Sequence, residues 1–348
     1  MSARARIAAT AACVAGGAML LAQRVRASLP PPSGPLPVGT TASSDRTVRI
    51  WYPAQRAGCG PYAPGERGRV TPYRALLRSH AALGVPLAAA AHPLCVLVYV
   101  PGWGGRSYEN TALAEELASQ GYVVAACDDR DATVALGFSS DESYADSLRR
   151  ANEKVVRAAR SAASVLHVLA TDARFAEVVD LGRSGILGYS FGGAVAAQAT
   201  RVDSRFRAAA NIDGWLWGGQ ADAALGVPYL YMSASENARD LRIPAERRAA
   251  ALDRADEARQ RACAVRAGGY LAALARTRHA SFTDANLYSL RPRERELLAP
   301  KVVHRLVADL VRAFFDVTLR GLDSSLLRDG VDGVTLNRIA PGAGRNFA

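Results

Sequence analysis

Short apolar runs alternate along this chain with longer amphipathic segments, and this alternation restricts its fold more than any other feature. Leu94 to Val100 reads LCVLVYV, a continuous apolar run typical of a strand that is buried on both faces of a parallel sheet. Further strands are predicted at 122–129, 185–190, 207–213, 227–235 and 270–276. Helical periodicity predicts helices over 108–119 and 145–171. Further helices are predicted at 192–200, which is rich in small residues, at 244–264, which is charged, and near 299–318. This order predicts an α/β fold with a mainly parallel sheet and helices on both faces.

The chain begins with a segment that is typical of an export signal. Residues 1–27 contain a basic start, an uncharged apolar run over 7–22, and small or apolar residues before a cleavage position. Because the apolar run is short for a membrane span, we expect export to the periplasm or the extracellular space; an N-terminal membrane anchor is the alternative. Residues 28–45 are rich in Pro, Gly and Ser and predict a linker. No repeat divides residues 46–348, which we interpret as one domain.

The basic residues do not have the distribution of a nucleic-acid-binding protein, although the formal net charge is +11. All but two of the 43 basic residues are arginine. They are scattered among acidic residues, without long basic runs or interleaved aromatic residues. We therefore expect no nucleic-acid partner.

The cysteines suggest one disulfide and no metal site. Export permits disulfides, and a bridge between Cys59 and Cys263 is compatible with the sequence, because both lie in segments predicted at the surface. No group of Cys and His has the spacing of metal ligands. We expect neither a metal ion nor another cofactor.

The segment ILGYSFGG contains the pattern Gly188-x-Ser190-x-Gly192. In the α/β-hydrolase fold, a nucleophilic serine occupies a sharp turn between a strand and a helix, and small residues around it let the two backbones approach closely. A predicted buried strand precedes Ser190, and a helix rich in glycine and alanine follows it. This context predicts the α/β-hydrolase fold with Ser190 as its nucleophile.

A serine hydroxyl needs an adjacent base, and in this fold the order along the chain is serine, acid, histidine. His279 follows a predicted strand in a polar segment and is the expected base, whereas His304 lies in the last helix, where packing or exposure explains it. Two positions suit the acid. Asp213 ends one predicted strand, and Glu236 and Asp240 follow the next. Spacing alone leaves Asp213 and Glu236 both open.

Ester cleavage also needs two backbone N–H donors for its tetrahedral intermediate. Phe191, the residue after the nucleophile, is the first expected donor. The second is Trp103, in the loop PGWGG at 101–105 that follows a buried strand. Together with these two, Tyr189 and Trp215 predict an apolar substrate pocket, which suits an acyl chain better than a charged group.

Several segments together resemble the plasma-type platelet-activating-factor acetylhydrolases and their bacterial relatives, over about residues 34 to 321. The similar segments are GPLPVG (34–39), TVRIWYP (47–53), GYSFGG (188–193), and the stretches 97–131, 205–217 and 276–284. The resemblance implies an α/β-hydrolase with Ser190 as nucleophile, Asp213 as acid and His279 as base. It also implies the amides of Trp103 and Phe191 as the oxyanion hole.

The chain departs from that family at two positions beside the predicted pocket. Pro101 and Tyr189 stand where these enzymes usually have histidine. Neither change removes a group implied in catalysis, but both bear on which substrate fits. The group also grades into dienelactone hydrolases and polyester hydrolases, so the resemblance leaves the ester open.

The sequence therefore predicts an exported serine esterase that cleaves short-chain acyl esters through an acyl-enzyme, phospholipid sn-2 acyl groups among them. Its expected partner is a small-molecule or lipid ester, with transient contact to a membrane or lipid surface. Acyl transfer, or hydrolysis of a polyester or a dienelactone, would use the same residues and forms the first alternative. A non-catalytic binding protein on the same fold is the second.

Overall fold

The computed structural model describes residues 17, 29–44, 47–63, 77–90, 92–128, 140–218, 223–235, 242–289 and 294–342. The predicted export signal at 1–27 lies outside these ranges apart from Gly17. None of the helices within the described ranges is long and apolar enough to cross a membrane.

A ten-stranded sheet forms the centre of the molecule. Strands β1 to β12 span Val38–Ala42, Val48–Pro53, Gly60–Pro61, Arg78–Ser79, Ala82–Leu83, Leu94–Val100, Val123–Cys127, Val179–Tyr189, Phe206–Ile212, Tyr229–Ala234, Gly269–Leu274 and Val334–Ile339. The order in the sheet is β12-β11-β10-β9-β8-β6-β7-β2-β1-β5, and β3 and β4 form a separate pair. In this order, the six strands from β11 to β7 all run parallel to one another. Strand β12 pairs antiparallel with β11, and β2 pairs antiparallel with β7. The predicted α/β-hydrolase fold is confirmed.

Helices cover both faces of this sheet, as predicted. Helices α1 to α7 span Thr111–Ser119, Asp141–Thr171, Phe191–Val202, Pro244–Val265, Asp284–Tyr288, Pro300–Arg320 and Ser325–Asp329. Strand β6 shows why two covers are needed, because successive side chains of a strand point to opposite faces. Val96, Val98 and Val100 pack in one apolar cluster with α2 and α3. Leu97 and Tyr99 pack in a second cluster with α1 and α6.

The ends of the sheet differ from the prediction more than its centre does. Strand β8 begins at Val179, earlier than expected, and its register against β6 shifts between Cys95 and Val96. Strand β12, which pairs antiparallel with β11, was not predicted at all. Its residues VTLNRI are mostly half-buried or exposed, as expected of an edge strand with one partner.

The predicted linker at 28–45 is wrong for the part that the structure describes, residues 29–44. Strand β1 lies in this stretch and pairs antiparallel with β2 and parallel with β5. The side chain of Leu29 is only 1% exposed. The Ser33 amide and hydroxyl each donate to a carboxylate oxygen of Glu116, both at 2.7 Å. The Pro-rich stretch is therefore part of the folded domain.

The predicted disulfide between Cys59 and Cys263 is also wrong, because all four described cysteines are free. Cys59 is exposed, whereas Cys263 lies on the buried side of α4. The prediction assumed that the whole of α4 lies at the surface, but one side of this helix packs on the sheet. Cys95 and Cys127 lie in the strands β6 and β7, which correspond to the strands predicted at 94–100 and 122–129.

Candidate active site

Ser190 lies on a strained turn between β8 and α3. Its backbone has φ 54° and ψ −125°, a conformation that residues with a side chain rarely adopt. The turn is held on both sides, because the Ser190 amide donates to Ile212 O at 2.8 Å and its carbonyl accepts from the Gly193 amide at 2.9 Å. The sharp turn lifts the Ser190 hydroxyl above the carboxyl edge of the sheet, as a nucleophile elbow does.

Glycines around Ser190 permit close contact between backbones. A Cβ atom at Gly188 would lie 2.1 Å from the carbonyl oxygen of Gly192, and one at Gly192 would lie 2.1 Å from that of Val100. Real Cβ atoms do not approach backbone oxygens so closely. The glycines of the motif are thus required by packing between β6, β8 and α3, which agrees with the reading of GYSFGG as an elbow.

The structure brings Asp213 and His279 to Ser190. His279 opens a short 3₁₀ turn after β11, and its Nε2 lies 3.0 Å from Ser190 Oγ. Its Nδ1 lies 2.7 Å from Asp213 Oδ2. With the proton on Nδ1, the imidazole donates to Asp213 and accepts from the Ser190 hydroxyl. The other oxygen of Asp213 accepts from the Ala234 amide at 2.8 Å, so both carboxylate oxygens have a hydrogen-bond partner.

Of the other candidates for acid and base, the structure describes only His304. Glu236 and Asp240 lie outside the described residues. His304 lies within α6, where burial lowers its pKa to about 4. In the described part of the chain, no group of three or more His, Cys, Asp or Glu side chains is arranged to hold a metal ion.

Tyr189 packs against His279 and does not line the cavity, contrary to the predicted pocket role. Its ring stacks on the imidazole with centroids 4.9 Å apart and an interplanar angle of 27°. Its hydroxyl donates to His279 O at 3.1 Å. Burial raises the pKa of Tyr189, so the hydroxyl keeps its proton. The side chain is 7% exposed because it points into the α1/α6 cluster with Leu187.

The loop from Pro101 to Gly105 after β6 is held by the Glu109 carboxylate and by a hydrogen bond within the loop. The Gly102 amide donates to Glu109 Oε2 at 2.8 Å, and the Gly105 amide donates to the Gly102 carbonyl at 2.8 Å. Just beyond the loop, Asp128 accepts from the Ser107 amide at 2.8 Å and from the Arg106 guanidinium at 3.1 Å. The loop thus has a defined shape beside Ser190.

Trp103, within this loop, packs directly on Phe191, the first residue of α3. The two rings meet edge to face, with centroids 4.7 Å apart and an interplanar angle of 73°. The N–H of Phe191 lies in the first turn of α3 and so has no acceptor within the helix. The side chains of the two residues predicted to supply oxyanion donors therefore meet beside the elbow. The partial positive charge at the start of α3 favours an anion at the same place.

A cavity of about 560 Å³ opens beside Ser190, Asp213 and His279. Its wall combines aromatic rings with polar side chains of α4, namely Trp215, Trp217, Tyr231, Asp253, Asp256, Glu257 and Gln260. Trp215 occupies its predicted place in the wall. The expectation of an apolar pocket is otherwise incomplete, because α4 contributes carboxylates, the amide of Gln260 and the guanidinium of Arg261 to the wall.

Asp256 ties the cavity wall to the loop after Asp213, and sequence reasoning missed it. It is 3% exposed and accepts from the Leu216 amide at 2.6 Å and from Gln260 Nε2 at 2.7 Å. Burial raises its pKa to about 6. Its neighbour Asp253 accepts from the indole N–H of Trp215 at 2.8 Å. Helix α4 thereby fixes the segment that follows the proposed acid.

Two comparisons with known proteins agree with this arrangement. A sequence model of the dienelactone hydrolase family matches residues 80–248, somewhat under half of the chain, and this stretch includes Ser190 and Asp213. The structure is similar to that of a ferulic acid esterase from Streptomyces cinnamoneus, with a TM-score of 0.66 and 24% sequence identity. The match covers 89% of this chain and 98% of the esterase. At this identity the likeness shows a shared fold.

The fold and the elbow define the chain as a member of the α/β-hydrolase superfamily. Within that superfamily, the match to the dienelactone hydrolase model makes it a carboxylic ester hydrolase. The predicted enzyme class is thus confirmed. The finer resemblance to platelet-activating-factor acetylhydrolases stays a prediction.

Proposed function

We propose that this protein hydrolyses short-chain acyl esters through an acyl-enzyme formed on Ser190. His279 takes the hydroxyl proton as Ser190 Oγ attacks the ester carbonyl, while Asp213 holds the imidazole in the required tautomer. His279 then gives that proton to the leaving alcohol as the carbon–oxygen bond breaks. Water attacks the acyl-enzyme with His279 again as base, which releases the carboxylic acid and restores the Ser190 hydroxyl.

The proposed oxyanion donors are the backbone N–H groups of Phe191 and Trp103. Negative charge develops on the carbonyl oxygen in the transition state, and donors fixed in advance stabilise it without reorganisation. Removal of one such donor typically costs about 10²- to 10³-fold in kcat. The packing of Trp103 on Phe191 supports this assignment, because it joins the two donor segments beside the nucleophile.

The observation that carries the proposal is the continuous hydrogen-bond chain from Asp213 through His279 to Ser190, with separations of 2.7 Å and 3.0 Å. The Asp213 side chain is 6% exposed, whereas that of His279 is 47% exposed and borders the cavity. A histidine that served packing alone would bury its ring. This one keeps an open side toward a space in which an ester can lie.

The size of the cavity supports a substrate of modest dimensions. Pockets for small molecules usually have volumes of roughly 300 to 1,000 Å³, and the cavity of about 560 Å³ falls within that range. A panel of p-nitrophenyl esters from acetate to octanoate would define the acyl length. Phospholipids with sn-2 acetyl or longer acyl groups and feruloyl esters form further arms, since the resemblance and the structural neighbour respectively suggest them.

The variant Ser190→Ala tests the mechanism. We expect a loss of at least about 10⁴-fold in kcat on the preferred ester, because the nucleophile is removed while the fold is unchanged. Ser204→Ala, which changes an exposed serine between α3 and β9, is the matched control and should retain full activity. A fluorophosphonate should label wild type and this control but not Ser190→Ala. Full hydrolysis by Ser190→Ala would contradict the proposal.

We also propose that the chain is exported, on the strength of the charge and hydropathy pattern of residues 1–27. Expression of the full chain in a bacterial host with an active secretion system tests this. N-terminal sequencing of the protein from the periplasm or medium should give a start close to Ser28. Recovery of uncleaved protein in the membrane fraction would instead support the N-terminal anchor.

A further inference from the structure

Lys154 is a buried lysine behind the proposed oxyanion hole. It lies on α2 and is 3% exposed, whereas the other lysine of the chain, Lys301, is exposed at the start of α6. Lysine is among the residues that are least often fully buried, because an ammonium group loses its hydration when it leaves water. A lysine in such a place therefore needs groups that offset that loss.

Two aromatic rings supply part of that compensation. The ammonium nitrogen Nζ of Lys154 lies 4.0 Å from the ring centroid of Trp103 and 5.3 Å from that of Phe191. Both distances are within the range in which a cation is attracted to the face of an aromatic ring, and the attraction is stronger where water is excluded. The same two rings contact each other edge to face. One buried cation thus contacts both residues that supply the proposed oxyanion amides.

We propose that Lys154 is a positioning residue that holds Trp103 and Phe191, and through them the two oxyanion-hole amides, in place for catalysis. This inference rests on the proposed function, because it assigns a purpose to those amides. Helix α2 is a firm base for such a contact: its 31 residues place Ala151 and Val155 in the core on either side of Lys154. The ammonium group is a compact charge on a flexible stem, and here its nitrogen lies within reach of both rings.

Loss of Lys154 would permit only a small displacement of Trp103 and Phe191 and of their amides. Catalysis is nevertheless sensitive to displacements of this size. A shift of about 1 Å in a positioning group can cost about 100-fold in rate. Because oxyanion donors act mainly in the transition state, their displacement lowers kcat and leaves KM nearly unchanged. The contacts of Lys154 with the two rings therefore predict an effect on kcat rather than on KM.

The experiment compares Lys154→Met, Lys154→Arg and the control Lys301→Met on the preferred ester. Methionine keeps the length of the side chain without its charge, so we expect kcat to fall about 10- to 100-fold while KM changes less than about threefold. The affinity for a boronic acid, which forms a tetrahedral adduct with Ser190, should weaken by a similar factor. Arginine restores the charge and should recover part of kcat, and Lys301→Met should match wild type.

Several outcomes would overturn the inference, and they are distinct from failure of the proposed function. If Ser190→Ala is inactive but Lys154→Met has the kcat and boronate affinity of wild type, only the role of Lys154 is refuted. If Ser190→Ala remains active, the proposed function itself fails. Should Lys154→Met not fold, Lys154→Arg and Trp103→Phe can be combined in a double-mutant cycle. Coupled effects on kcat support the contact, and purely additive effects overturn it.

Discussion

Backbone strain in this protein is concentrated at the residues proposed to act in catalysis. Among the described residues, positive φ values outside glycine occur at Ser190 (54°), Asp213 (56°) and Arg276 (56°). The first two are the proposed nucleophile and acid, and the third lies three residues before His279. Each such conformation costs on the order of 1 kcal/mol or more and persists only where the surrounding structure fixes it. The strain thus serves the placement of side chains at the expense of stability.

Tyr189 gives a test of how His279 is oriented. Tyr189→Phe keeps the ring stacked on the imidazole but removes the hydroxyl that donates to His279 O. One hydrogen bond of this kind contributes about 1 kcal/mol, so we expect kcat/KM to fall about fivefold. Tyr189→Leu removes the stacked ring as well, and an aromatic contact adds about 1 kcal/mol more. We expect its kcat/KM to fall about 30-fold in total.

Initial-rate kinetics on the preferred ester, with circular dichroism melting of each variant, measure these effects. Each variant should differ from wild type far more in kcat than in KM, because Tyr189 lies outside the cavity wall. Wild-type kcat/KM in both variants would mean that neither the stack nor the hydroxyl positions the base.

Chain order and local context led to two of the proposed catalytic residues, which the structure places within hydrogen-bond distance of each other. Ser190 and His279 follow from a strand–serine–helix pattern and a polar segment after a strand. The choice between Asp213 and Glu236 could not be made from spacing, because it depends on the left-handed backbone that turns Asp213 toward His279. The buried Lys154 left a signal that was not used: it lies three residues after Ala151, on the apolar stripe of α2.

At the scale of elements, the sequence identifies the buried strands and long helices but not the edges of the sheet. A strand such as β6 has apolar residues on both faces, and its pattern is unmistakable. Strand β12 is short and half-exposed. It begins 60 residues after the end of β11, the strand with which it pairs. Strand β1 lies in a Pro- and Gly-rich stretch, and its pairing with β2 depends on contacts that composition does not report. Such edges are set by tertiary pairing.

Helix α4 makes the stability of the protein depend on pH through Asp256. Burial raises the pKa of this carboxyl from 3.8 to about 6, so the folded state favours its protonated form. Between these values the folded protein binds more protons at Asp256 than the unfolded chain does, and the free energy of unfolding therefore falls as pH rises from about 4 to 6. The shift corresponds to on the order of 2 to 3 kcal/mol. Above pH 6 this contribution is lost.

The variant Asp256→Asn isolates that effect, since the amide cannot ionise. Urea unfolding at pH 4.5 and pH 7.5 should show wild type losing more stability than Asp256→Asn over this interval, whatever the absolute stability of the variant. Glu257→Gln changes an exposed carboxylate next to Asp256 on the same helix and should keep the wild-type difference between the two pH values. Equal pH dependence in Asp256→Asn and wild type would show that Asp256 is ionised throughout.

At the scale of the whole molecule, the candidate site is assembled at one edge of the sheet. Ser190 follows β8, Asp213 follows β9, His279 follows β11 and Trp103 follows β6, and all four strands run in the same direction. The carboxyl ends of parallel strands meet at a single edge, where open α/β sheets bind their ligands. Residues 89 positions apart, as Ser190 and His279 are, can therefore be in contact. Alternation of strands and helices predicted the mainly parallel sheet on which this arrangement depends.

Residues 29–44 include β1, which lies between β2 and β5 near one end of the sheet order, and their removal tests where the folded domain begins. Two truncated chains are compared, one starting at Leu29 and the other at Thr47. The shorter chain lacks β1, so it exposes the edge of β2, where Trp51 and Tyr52 are buried in the intact protein. It also lacks Leu29 and the Ser33 contacts, which leaves the Glu116 carboxylate without two of its donors.

Each lost buried group costs about 1 to 3 kcal/mol, so we expect the shorter chain to lose most of a typical stability of about 5 to 15 kcal/mol. Thermal melting and gel filtration measure this difference, and the shorter chain should aggregate or melt at least about 10 °C lower. Equal Tm and equal esterase activity in the two truncated chains would restore the linker assignment for 28–45.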